Sequence, residues 1–176
     1  SAPLAPLPAP TPAAGQPAGG VKATEIADLV PPAFVAPNLR GDSEDAHFQE
    51  GMSAYGRGDC TGAVPSLTQV PAESRDSRAA EFYAGVCLMH VGDLTAASAS
   101  LRKVAGAGDS PQQESAYYYL AQVALAHNDP ASGHKLLLRT IALKGDLERK
   151  AMVEDRKVLA IVDSDRQAAA ETQRSK

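Results

Sequence analysis

The chain has 176 residues, and its 17 basic side chains against 21 acidic ones leave a net charge of −4. That balance disfavours a module built to grip nucleic acid or another polyanion. There are 33 alanines and 13 prolines, and nine of the prolines fall within the first 37 positions, so two different materials are joined end to end. The part able to fold, about 130 residues, suffices for one modest domain. No apolar run reaches the ~18 residues of a membrane-crossing helix, so no membrane insertion is expected within the chain.

The first twenty residues hold six Pro, six Ala, three Gly and no ionisable side chain. Proline fixes φ and removes backbone donors, so this stretch reads as polyproline II or irregular chain, either a disordered spacer or an arm ordered against something. In residues 21–40, Ile26, Leu29, Val30, Phe34 and Val35 form an apolar segment that Pro31, Pro32 and Pro37 keep from becoming a long helix. Such a segment needs a groove to lie in, on its own chain or on a neighbour. We therefore expect an extended Ala/Pro-rich arm over residues 1–41.

Beyond Asp42 the proline density falls and a repeat appears. A shift of 34 residues carries Phe48 onto Phe82, Gly51 onto Gly85, Gly58-Asp59 onto Gly92-Asp93, Ala63 onto Ala97, Ser66-Leu67 onto Ser100-Leu101 and Val70 onto Val104. A shift of 36 gives a weaker third copy, with Phe82 on Tyr118, Gly85 on Ala121, Gly92-Asp93 on Asn128-Asp129 and Leu101 on Leu137. Each copy reads as helix, tight turn, helix. Gly58, Gly92 and Asn128 suit the left-handed residue that ends a helix, and the following aspartates suit the N-cap of the next. Ser110 to Gln113 reads as a capping box opening the third copy. Pro65, inside the second helix of the first copy, should kink or delay it. After Gly145-Asp146, the apolar residues Ala151, Met152, Val158, Leu159 and Val162 recur at helical spacing and predict a final covering helix. The domain is thus expected over 42–166, with a frayed tail at 167–176.

These features resemble the tetratricopeptide repeat, with its 34-residue period, a small residue at the eighth position of the repeat and alanine at the twentieth. The resemblance covers about residues 44–143 plus the covering helix. It implies an all-α fold: a short helical solenoid of three helix-turn-helix repeats with a C-terminal capping helix. More loosely, the chain resembles extracytoplasmic tetratricopeptide domains of bacterial anti-sigma-like membrane proteins. The family template places the fifth, ninth and twelfth repeat positions on the concave surface. Here these are Phe48, Met52 and Tyr55; Phe82, Val86 and Met89; and Tyr118, Gln122 and Leu125. Each trio shares one helical face by its spacing alone. Eight of the nine are apolar or aromatic, which fits either ordinary core or a trough that must be covered.

No nucleophile elbow, phosphate loop or metal-ligand spacing occurs, so no catalytic residue, metal or cofactor is expected. Cys60 and Cys87 fall on neighbouring helices, where they either pack as free thiols or, in an exported protein, close a staple between repeats. The expected function is therefore non-enzymatic, a scaffold for protein–protein interaction; that it is bacterial and extracytoplasmic is what the looser resemblance implies. Its expected partners are other copies of itself, joined through the arm into an oligomer or filament, since an uncharged arm is most simply ordered by lying on a neighbouring subunit. The other reading is a sensory, partner-binding ectodomain of an anti-sigma-like membrane regulator.

Overall fold

Three Asp residues, each preceded by Gly or Asn, divide the chain into helical hairpins. Gly58 and Gly92 take the left-handed backbone at φ 74° and 91°, and Asn128 does so at 56°. Glycine reaches that region without steric cost, and asparagine is among the few other residues that tolerate it. Because the turn reverses there, the next amide bonds back into the helix just ended: Asp59 N–H to Ala54 O at 3.0 Å, Asp93 to Leu88 and Asp129 to Ala124, each at 2.9 Å. Each aspartate then caps the following helix, its carboxylate accepting from the amide of Gly62, Ala96 or Ser132 at 2.8, 3.1 and 3.0 Å. One short element therefore ends a helix and starts the next, three times over.

The computed structural model describes residues 20–34 and 45–176. Among them are eight helices and no strand. A single turn, α1 (Ala23–Ile26), lies in the arm. Three hairpins follow: α2 (Ala46–Gly56) with α3 (Cys60–Leu67), α4 (Ser77–His90) with α5 (Leu94–Gly106), and α6 (Gln113–Ala126) with α7 (Pro130–Ala142). The last element is α8 (Glu148–Arg174). From α2 onward each helix packs on the next in chain order, while α4 also touches α2 and α6, and α1 packs on α6 and α8. The chain is thus all-helical, with one continuous core running through the hairpins.

Small residues set how closely paired helices approach. A Cβ on Gly51 would stand 2.6 Å from the Leu67 side chain, so α2 and α3 meet where a larger residue cannot fit. In the third hairpin the roles are exchanged: Gly133 on α7 makes room for Leu125 of α6, where a Cβ would come within 2.7 Å of the leucine.

Four local expectations need correction. Ser110 forms no capping box: α6 starts at Gln113 without a side-chain cap, the Ser110 hydroxyl is buried without a partner, and the side-chain NH2 of Gln113 donates to Ala105 O at 3.1 Å. Pro65 does not delay α3, which starts directly after its Asp59 cap; the helix is instead short, ending two residues beyond the proline. The final helix does not fray at 166 but continues to Arg174. On its packed side are Ala151, Asp155, Val158 and Val162, while Met152 points outward.

Cys60, the first residue of α3, and Cys87, in α4, are joined by a disulfide across a Cα–Cα distance of 4.9 Å. The bridge ties the first hairpin to the second across a sequence separation of 27 residues. Closing a loop of that length stabilises by about 3.5 kcal/mol in the chain-entropy account. Alkylation without reduction should therefore add no mass. Reduction followed by alkylation should add two adducts and lower the unfolding free energy by about 3 kcal/mol in a denaturant titration.

Candidate functional site: an arm seated across three helices

Extended chain cannot satisfy its own backbone, so the course of the arm is legible from what satisfies it. The single turn α1 sits against α6 and α8, with Ala23 wholly buried. At Ala27, with ψ 125°, the backbone leaves the helical region, and Pro31 and Pro32 hold it open. Ile26, Ala27 and Leu29 then pack against the core.

Three side chains from successive hairpins receive this segment. The Asp28 amide donates to Gln122 Oε1 of α6 at 2.8 Å. The Leu29 carbonyl lies 3.4 Å from His90 Nδ1 at the end of α4. The Pro32 carbonyl accepts from the hydroxyl of Tyr55 in α2. The arm therefore crosses the face made by the first helix of each hairpin, running from the third hairpin to the first. At its far end Phe34 meets Tyr55 and Tyr83 edge-on, with centroids 6.4 and 6.0 Å apart, and the two tyrosines lie 4.8 Å from each other.

Around Asp28 the contacts form a closed polar cluster. Gln122 is completely buried, and its NH2 group donates to Glu154 Oε2 of α8 at 2.7 Å. A carboxylate accepts and cannot donate, so this bond turns the amide oxygen of Gln122 toward the arm. The other oxygen of Glu154 accepts from the Tyr118 hydroxyl at 2.6 Å. Lys150, one turn earlier on α8, places its ammonium 4.9 Å from the centroid of the Tyr118 ring and 3.2 Å from Asp28 Oδ2. Asp28 Oδ1 accepts from the Val30 amide at 3.1 Å, which turns the chain locally. Away from this cluster, His134 and Asp155 join α7 to α8 at 2.7 Å.

Burial acts on the phenols. Tyr55, Tyr83 and Tyr118 are all raised above the ordinary tyrosine range, chiefly by desolvation. For Tyr118 the hydrogen bond to Glu154 adds to that effect. Tyr119 is pushed up to about 12, first by burial and then by the charges of Asp28 and Glu154.

The residues expected in the trough divide into two groups. Tyr55 and Gln122 touch the arm directly. Met52, Phe82, Val86, Met89, Tyr118 and Leu125 are buried in the common core, and Phe48 is half-buried at its edge. Phe82 is only 3% exposed and its ring meets Tyr83 and Tyr119; the aromatic partner of the arm in α4 is its neighbour Tyr83. Of the expected arm contacts, Ile26, Leu29 and Phe34 engage the helices, while Val30 is 66% exposed and points away. Val35 lies outside the described residues. Tyr83, His90, Lys150 and Glu154 were not anticipated. Gln122, the one polar member of the nine, was the signal that a polar partner had to come from another element. No family model matches the sequence, no curated protein matches it, and no solved structure matches the fold.

A phenol raised in the folded state favours its neutral form there. Its contribution to stability is complete below the ordinary tyrosine pKa of about 10 and is lost as pH climbs through the raised values. Absorbance titration should show Tyr55, Tyr83, Tyr118 and Tyr119 ionising above the ordinary tyrosine range, in step with alkaline loss of helicity. Phe82→Ser should cost about 3 kcal/mol or more of folding stability, as a cavity in the core does. Tyr83→Ser should cost less while releasing Phe34; equal unfolding midpoints for the two variants would place Phe82 wrongly.

Proposed function

We propose that this chain is a non-enzymatic module for protein–protein interaction and assembly, a tetratricopeptide-type solenoid whose repeats present one face to an extended apolar segment. The observation that carries this reading is the arm itself: residues 20–34 cross α6, α4 and α2 in turn, and each hairpin supplies one side chain to an arm backbone group. Binding through main-chain groups with separate pockets for side chains is how folded domains take extended peptides.

In this reading the natural donor of the segment is another copy of the chain. Ten residues, 35–44, connect Phe34 to Asp45, a reach of at most about 35 Å when extended. In this reading the arm of a neighbouring copy takes the place of the chain's own arm on the same face. Reciprocal exchange makes a dimer, and exchange from head to tail builds a filament unless the rotation closes a ring. The Cys60–Cys87 bridge favours an oxidising, extracytoplasmic setting, where such bonds persist.

Removing residues 1–40 is expected to abolish assembly seen by light scattering and to increase binding of a dye specific for exposed apolar surface. Unchanged particle size together with unchanged dye binding would reject the proposal.

A further inference from the structure

The end of the face nearest α8 is chemically unlike the rest. Elsewhere the arm meets His90, the Tyr55 hydroxyl and apolar or aromatic side chains one at a time, but at Asp28 it meets a connected cluster of Gln122, Glu154, Tyr118 and Lys150. Two of these four residues belong to α8, outside the three hairpins, so the final helix does more than cover the last of them.

We infer that this cluster is a specificity site, selecting from extended segments an aspartate whose own amide N–H is free, with Leu-x-Pro-Pro-x-aromatic following it. The inference rests on the peptide-binding reading above and commits to one occupant, segment 20–34, supplied in assembly by a second copy of this chain. Three features make the selection. First, Glu154 locks the Gln122 amide with its oxygen outward, so the site demands a backbone donor at that position and rejects proline there. Second, Lys150 is held at the Tyr118 ring and presents its charge 3.2 Å from the aspartate carboxylate; a neutral residue forfeits that pairing and a basic one is repelled. Third, the other carboxylate oxygen of Asp28 accepts from the Val30 amide two residues on. Aspartate has the length for that turn, whereas glutamate is one methylene too long. Register is then set by distance along the extended chain, which brings the residue six positions later, Phe34, to Tyr55 and Tyr83.

The test uses the full chain and a fluorescein-labelled peptide of residues 20–34. In the wild-type protein the resident arm competes at high effective concentration, so the peptide should bind poorly. In full-length Asp28→Lys the resident arm faces Lys150 with a like charge, and the wild-type peptide should bind at least tenfold tighter than to the wild-type chain. A peptide carrying Asp28→Asn should lose at least fivefold on that protein, and one carrying Asp28→Lys should lose more. In full-length Lys150→Asp the preference should reverse, with the Asp28→Lys peptide binding more tightly than the wild-type one. Helicity and melting are measured on each variant. If Asp28→Lys proves unfolded, Phe34→Ala, which loosens the arm at its other end, serves for the same peptide series. Folded variants that bind no peptide, or bind the three peptides equally without reversal, overturn the inference. Light scattering on the wild-type chain separates the two ideas. A monomer whose variants discriminate among the peptides retains the site and loses self-assembly, whereas an assembling chain without discrimination does the opposite.

Discussion

An extended proline-containing segment has no ladder of its own, and the arrangement of this protein follows from how that segment is satisfied. Pro31 and Pro32 contribute no donors, so only some backbone groups of the arm need partners, and the three groups described are met by Gln122, His90 and Tyr55. Those residues stand on three different hairpins. The arm consequently reads the spacing between hairpins, and any change in their packing is felt along its length. Of the three contacts, the one to Gln122 is the most constrained, because both ends of a completely buried amide are used and its orientation is dictated by a carboxylate.

The far end depends on a different constraint. Phe34 packs against Tyr55 of the first hairpin and Tyr83 of the second, so its pocket exists only while those hairpins hold their relative position. The Cys60–Cys87 bridge joins the same two hairpins, and Cys87 lies one helical turn beyond Tyr83. A covalent tie there limits the rigid-body freedom that would otherwise separate the two rings. Edge-to-face packing of this kind adds about 1 kcal/mol per pair beyond the area it buries, and it does so only at well-defined geometry. The staple and the aromatic pocket thus act on one joint of the molecule.

What could be read from the sequence was the local chemistry. The Gly-Asp and Asn-Asp pairs placed all three hairpin turns, because a left-handed residue followed by a cap is specified within a few positions. The capping box at Ser110 shows the limit of the same logic. Its pattern is present, yet Gln113 finds a better partner in the Ala105 carbonyl, and the helix starts without the box. The shift of 36 aligned Ala121 with Gly85, but it could not show that the close contact in the third hairpin has passed to Gly133 on the other helix. The arm was recognisable as an apolar segment in need of a surface. Its anchors were not, since Asp28 is separated by 94 residues from Gln122 and by 122 from Lys150, and polar contacts at that distance leave no periodic trace. Tyr83 was overlooked for a related reason: in Phe82-Tyr83 the template favours the first ring, and only packing decides which of the two faces the arm.

In the proposed assembly, exchange of the arm between copies would replace one set of contacts by an identical set, so contact energy would not choose between the closed and the exchanged state. The choice falls to the linker and to concentration. A segment tethered by ten residues meets its own face at an effective concentration in the millimolar range, which favours the closed chain when dilute. In that assembly a neighbour would compete once copies are crowded. The face is ready for either donor. Glu154 holds Gln122 and Tyr118 through bonds in which the arm takes no part, so their orientation does not have to be rebuilt when one arm leaves and another arrives. A preorganised site of this kind costs little to refill. In the proposed assembly, arm exchange would then be a question of rate and concentration, since both ends of the segment carry exposed residues, Val21 at one and Phe34 at the other.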